Sequence, residues 1–261
     1  MSLILTHIEA GVLRIVLNRP EKKNALTADM YEALNEAFDR AAAEPEVKAI
    51  LFAAEGPAFC AGNDLADFIA NPPRGSEAPV MQFVRNLACC QKPMIAAVRG
   101  PAVGIGTTML LHCDLVYAAD DALFALPFAK LGLCPEAASS LLLPRIAGYQ
   151  RAAEKLLLGE AFGVDEALDM GFVNKLVPPE ELLPYALRQA AKLVALPAES
   201  VRATRELMRG LSGKGTAGKA HEALLARIDE EGAVFERLIG EPAAQEAFAA
   251  FLAGRAPNFG G

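Results

Sequence analysis

The chain has 261 residues, of which 53% are hydrophobic, and a formal net charge of −7: enough apolar sequence for one large α/β domain, with or without a helical appendage. Its Lys and Arg are scattered, which argues against a nucleic-acid surface, and no run reaches the ~20 apolar residues of a membrane span. Five cysteines (Cys60, Cys89, Cys90, Cys113, Cys134) lack a paired CxxC spacing and three histidines (His7, His112, His221) sit in no ligand-spaced motif, so the expectation is buried free thiols, no metal and no catalytic histidine.

In chain order, VLRIVLN at 12–18 alternates as a strand does and VKAILFA at 47–53 makes a second, with an amphipathic helix over about 28–42 between them. Thr27 and Asp29 are candidate caps of that helix, and Pro45 marks its exit. AFCAGNDL at 58–65 then breaks into small residues, with Asp64 placed to cap a helix. NPPRGSEAP at 71–79 reads as a mobile surface segment near a ligand entrance. A helix around 79–90, a strand at 94–98, the loop GPAVGIG at 100–106 and a strand at 114–118 follow. LGLCPEAASS at 131–140 ends the alternation, and strands alternating with helices favour a largely parallel sheet. Beyond Ala137 helices dominate, interrupted by one short strand, FVNKLV at 172–177, and end in helices over roughly 180–195, 198–209, 219–238 and 242–252. The N-terminus carries no charged region followed by an apolar core and the final NFGG no recognised address, so the cytoplasm is the expected location.

Three of these loops follow strand-like runs and can converge at one sheet edge. The first and second each open a helix, where backbone N–H groups lack partners. Two convergent N–H groups make an oxyanion hole.

LNRPEKKNAL, AFCAGNDL, GPAVGIG, CDLVYAADDALF and LGLCPEAASS together resemble the crotonase, or enoyl-CoA hydratase/isomerase, superfamily in order and spacing, from about Gly11 to Pro178. The resemblance implies an α/β fold, a spiral of ββα turns with a C-terminal helical region, divided here as a core over 1–195 and a trimerisation region over 196–261. It implies an acyl-CoA thioester as partner, a homotrimer or dimer of trimers, no nucleic acid or membrane, and no cofactor beyond the coenzyme A carried by the substrate. The oxyanion donors would be the backbone N–H groups of Asn63 and Ile105. Lys23, Ala25, Ala61, Gly62, Asp64, Leu65, Gly104 and Phe128 fall at substrate-binding positions, with Lys22, Arg202 and Arg205 as further candidates for the CoA phosphates. Asp64 reads more readily as a cap than as a catalyst. Phe83 and Leu87 fit an acyl tunnel or simply the core.

The sequence departs from a hydratase at both catalytic carboxylates, because Thr108 and Phe128 stand where that subgroup has glutamates. A carboxylate does occur at Glu136, the position of the base in the Δ3,Δ2-enoyl-CoA isomerases of fatty-acid degradation. An apolar setting would raise its pKa and strengthen it as a base. The competing reading of Glu136 is a residue that merely favours a helix dipole. Hydratase-type or other enolate chemistry, and a CoA-binding module without catalysis, are the alternative functions.

Overall fold

The computed structural model describes residues 2–73, 75–209 and 215–260. β1 (Ile4–Glu9) and β2 (Val12–Leu17) form an antiparallel hairpin across Ala10 and Gly11, both at positive φ. α1 (Ala28–Ala43) starts at Thr27, whose hydroxyl accepts the Met30 N–H, so Thr27 rather than Asp29 is the cap. Then come β3 (Ala49–Ala54), α2 (Leu65–Ala70), α3 (Pro79–Cys89), β4 (Met94–Val98), β5 (Pro101–Val103), α4 (Ile105–Thr108), β6 (Leu115–Ala118) and β7 (Leu123–Ala125). The chain continues through α5 (Ser139–Ala147), α6 (Tyr149–Ala153), β8 (Phe162–Gly163), α7 (Val164–Asp169) and β9 (Lys175–Leu176). α8 (Pro179–Ala195), α9 (Ala198–Arg209), α10 (Gly215–Ile239) and α11 (Pro242–Leu252) complete it.

Six strands make the main sheet in the order β1-β2-β3-β4-β6-β9, and β5-β7-β8 make a smaller one. Every neighbouring pair from β2 to β9 in the main sheet is parallel. Successive turns place one strand in the main sheet and a following short segment beside the second: β3 then the Cys60 bridge to Ala102, β4 then β5, β6 then β7. This is the expected spiral of ββα turns. The short strands escape a reading by alternation because two or three residues cannot display a period.

Both faces of the main sheet are covered, which is why AILFAA and MIAAV are continuous apolar runs. Leu13, Ile15, Ile50, Phe52, Met94 and Ala96 join the main core with α1 and α3, while Val12, Leu51, Ile95 and Tyr117 pack under Leu182, Ala186 and Ala190 of α8. α10 lies against α3, and α11 against the turn at residues 129–131. FVNKLV is strand only at Lys175–Leu176, since the N–H groups of Phe172 and Val173 turn back to the Ala167 carbonyl. All five cysteines are free, but only Cys60 is buried: Cys90, Cys113 and Cys134 are half-buried and Cys89 is exposed. Among the described residues no helix is long and apolar enough to cross a membrane.

Candidate active site

The loop after β3 is packed backbone to backbone against β5 and the turn that follows it. Cys60 N donates to Pro101 O at 3.0 Å and Val103 N donates to Cys60 O at 2.8 Å. A Cβ at Gly62, whose φ is +94°, would lie 3.1 Å from the Val103 carbonyl oxygen, and one at Gly106 would lie 2.6 Å from that of Cys60. Only glycine permits this approach.

A second ladder ties residues 23–26 to 61–64. Ala61 N donates to Lys23 O at 2.9 Å, Leu26 N to Gly62 O at 2.8 Å and Asp64 N to Leu26 O at 2.8 Å. In this alternation the Asn63 N–H points away from residues 23–26 and, among the described residues, meets no acceptor. The Ile105 N–H, at the first position of α4 after Gly104, is likewise unpaired. Lys23, Ala25, Ala61, Gly62, Asn63 and Asp64 are thus gathered on adjoining segments, with Gly104 and Ile105 on the loop packed against them. Asp64 caps α2 by accepting from the N–H groups of Ala66 and Asp67, and pairs with Arg19 at 2.8 Å. Leu65 opens that helix.

Asn63, Glu136 and Ala137 line one end of a cavity of about 240 Å³. Its walls are apolar: Phe68 from α2, Val80, Met81 and Val84 from α3, and Ile228, Phe235 and Ile239 from α10. Pro73, Gly75 and Ser76 of the proline-rich segment reach its rim, as expected for an entrance; Arg74 lies outside the described residues. Asp229, paired with Arg85, and Glu236 also touch the cavity, but both carboxylates belong to exposed residues. Behind Asn63, Tyr31 donates its hydroxyl to Asn63 Oδ1 at 2.5 Å.

Burial pushes the Glu136 carboxyl up to about 8; the Thr108 hydroxyl, which donates to Glu136 Oε1, pulls the other way, and the charge of Glu231 adds to the rise. No cation pairs with Glu136 among the described residues. Burial first, then the nearby Glu136 and Cys60, also raise Tyr31 well above its usual value, and burial lifts Cys60 to about 12. A carboxylate in such a setting binds a proton tightly, the property a base needs when it takes one from carbon.

Glu136 opens a tight turn: Ser139 N donates to Glu136 O at 3.0 Å, and Ala137 and Ala138 between them have φ of +56° and +55°. This is the type I′ pattern, with alanines where Asn or Gly is usual, at about 1–2 kcal/mol per residue. His112 and Glu231 bond to this turn, at Ala137 O and at the N–H groups of Ala138 and Ser140. Neither residue nor Tyr31 was legible as a site residue from the sequence, because none sits in a glycine-rich loop.

Phe83 and Leu87 take the core alternative, and Phe128 is likewise buried in the main core; none of the three is among the residues that line this cavity. Arg205 is unavailable to a phosphate: it is 5% exposed, and its Nε lies 2.7 Å from Asp114 Oδ2. Arg202 is bound to Glu199 and Glu206 on its own helix. Lys22 and Lys23 are exposed.

Comparison with known proteins identifies the family. The enoyl-CoA hydratase/isomerase family matches residues 7–261. The chain is 35% identical over 271 residues to the 1,2-epoxyphenylacetyl-CoA isomerase of Escherichia coli K12, covering 100% of this chain and 99% of that protein. It is 36% identical over 212 residues to enoyl-CoA delta isomerase 2 of Rattus norvegicus, covering 79% of this chain but only 54% of the rat protein. The crystal structure of an enoyl-CoA hydratase/isomerase from Pseudoalteromonas atlantica T6c superimposes with a TM-score of 0.91 at 36% identity, over 99% of this chain and 100% of that one. The chain is therefore a member of the enoyl-CoA hydratase/isomerase family, with the crotonase fold and isomerase-like relatives.

Proposed function

We propose that this protein isomerises 3-enoyl-CoA thioesters to trans-2-enoyl-CoA, with Glu136 as the single base. The observation that carries this reading is a carboxylate that has no cation partner among the described residues and lines an apolar cavity together with Asn63, whose amide is unpaired among them, while by the family resemblance Thr108 and Phe128 stand at the hydratase positions. The Glu136 carboxylate removes a proton from C2. The N–H groups of Asn63 and Ile105 bind the thioester oxygen as it gains charge, and loss of one such donor costs about 2.7–4 kcal/mol. Glu136, now protonated, returns the proton at C4, leaving the double bond between C2 and C3. With Thr108 in place of a second carboxylate, there is no partner to share activation of a water. Asp229 and Glu236, at the exposed side of the cavity, are poorly suited to that task.

Coenzyme A, as part of the substrate, is assigned to the surface of Lys23, Ala25, Ala61, Gly62, Asp64 and Leu65, which the backbone ladder between 23–26 and 61–64 supports. Gly104 lets the thioester approach the Ile105 amide. Assembly as a trimer through the 196–261 region belongs to the same proposal, and the exposed Leu207 and Met208 on α9 are apolar surface that assembly can cover; light scattering tests it. The proposed setting is fatty-acid degradation in the cytoplasm.

Purified protein incubated with trans-3-hexenoyl-CoA should form the conjugated 2-enoyl thioester without 3-hydroxyacyl product, and Glu136→Gln should abolish this. Hydration of trans-2-hexenoyl-CoA would overturn the reading. The end-to-end similarity to the E. coli enzyme makes 1,2-epoxyphenylacetyl-CoA the second substrate to assay.

A further inference from the structure

The peptide unit between Ala137 and Ala138 is gripped at both of its polar ends. Its carbonyl accepts from His112 Nε2 at 2.8 Å, and its N–H donates to Glu231 Oε2 at 2.6 Å. The other oxygen of Glu231 accepts the Ser140 N–H at 3.0 Å. His112 follows α4 and Glu231 projects from α10, and they are 1% and 6% exposed. Burial holds the His112 imidazole down to about 3, so it is neutral and its Nε2 carries the hydrogen that a carbonyl partner requires. Both residues flanking this peptide are alanines at positive φ, with no side-chain group to favour that conformation. The turn that begins at Glu136 therefore depends on partners remote in sequence.

Resting on the reading of Glu136 as the base, we propose that Glu231 is a positioning residue for it: together with His112 it clamps the Ala137–Ala138 peptide, fixes the direction of the Glu136 side chain, and presents a buried negative charge behind it. Burial raises the Glu231 carboxyl above its usual value, while the backbone N–H donors to each of its oxygens and the nearby Arg227 pull the other way and favour its ionised form. That charge opposes ionisation of Glu136 and so keeps it a strong base. The other titratable groups facing Glu136 are Tyr31 from α1, Cys60 from the loop after β3 and Cys134 from its own loop; burial raises all three, Cys134 to about 11. Arg85 of α3 and Asp229 of α10 pair with each other along the cavity wall, where Glu236 is exposed. Arg227, on Glu231's own helix, donates to Ser140 Oγ at 3.0 Å. Glu231 is thus the anion that enters the turn itself.

The test compares Glu231→Gln, which keeps the length and removes the charge, with Glu231→Asp, which keeps the charge and shortens the reach. Two readouts are taken: the steady-state constants against pH, and titration of the Glu136 carboxyl by infrared difference spectroscopy against Glu136→Gln, which needs no substrate. In Glu231→Gln, kcat should fall about tenfold or more, as a displaced catalytic group predicts, and the carboxyl midpoint should move to lower pH. In Glu231→Asp, kcat should fall while the midpoint stays, and in both variants KM should remain within about twofold. A folded Glu231→Gln protein with wild-type kcat or an unmoved midpoint overturns the proposal. If that variant does not fold, Glu231→Asp decides, with wild-type kcat the overturning result. Absence of 3-enoyl-CoA turnover in the wild type would refute the proposed function alone, because the infrared midpoint still tests the link between Glu231 and Glu136.

Discussion

Asp114 and Glu136 are both carboxylates set against the main core, and they have opposite surroundings. Asp114 accepts the Met94 N–H at 2.8 Å and receives Arg205 Nε at 2.7 and 2.9 Å, while Arg205 also donates to the Cys90 carbonyl. Its charge is matched, and the pair ties α9 to the start of β4. Glu136 has a hydroxyl, a buried anion nearby and an apolar cavity in front of it. A paired buried charge holds structure together; an unpaired one facing a cavity stays reactive. The contrast also explains why arginine residues in the tail are not interchangeable as phosphate candidates, since Arg205 is already committed.

The sharpest way to break this comparison is to neutralise each partner set. Glu136→Gln should lower kcat/KM by about 10²–10⁴-fold, the range for loss of a general base, with no loss of stability in denaturant unfolding. Arg205→Ala should do the reverse, costing about 3–5 kcal/mol of stability by stranding Asp114 while turnover per folded molecule is unchanged. Loss of turnover in Arg205→Ala at undiminished stability would erase the distinction.

The pH dependence of stability sharpens it further. The folded Glu136 carboxyl ionises at about 8 against 4.5 for the free group. The native state therefore holds a proton that the unfolded state releases between these values. The contribution of this group is fully present below pH 4.5 and is lost as pH rises through about 8. Relative to Glu136→Gln, the wild type should lose on the order of 3 kcal/mol between these limits, after discounting for partial solvent access. Urea unfolding of both proteins at the two pH values checks this. The rate should follow the opposite course, with kcat/KM rising towards a plateau above about pH 8 as the base form accumulates. The smallest effect is expected at Thr108→Val: loss of the hydroxyl that favours the carboxylate should move that rising limb upward by about one pH unit. A downward shift would mean that the hydroxyl serves the protonated form instead.

Two turns show how much of this was legible beforehand. The turn at Lys23 and Asn24, both at positive φ, carries its own anchor: Asn24 is buried and its side chain bonds to Arg19 N, Glu55 O and Ala58 O. Its place beside the Gly-rich loop was readable, since LNRPEKKNAL lies in a recognisable order with AFCAGNDL. The turn at Ala137 and Ala138 carries no such mark. Glu136 itself could be singled out, because a carboxylate after proline and before small residues is a local pattern. What holds it could not be, because His112 and Glu231 lie in stretches whose local sequence looks like ordinary helix. The burial of Phe128 was not legible for a related reason: apolar residues read alike whether they face a cavity or a core, and only the direction of the side chain separates the two.

The sequence by itself determined the order of the longer parallel strands and helices, the glycine positions where the two loops touch, the cap at Asp64, and the one carboxylate available for chemistry. These depend on local rules: period, capping geometry and the absence of a Cβ. The tertiary structure alone decided which surfaces became the cavity, which arginine was consumed by an ion pair, and how an alanine turn at positive φ was held. Those outcomes depend on burial and on partners distant along the chain, and no local pattern of residues encodes the distance between two helices.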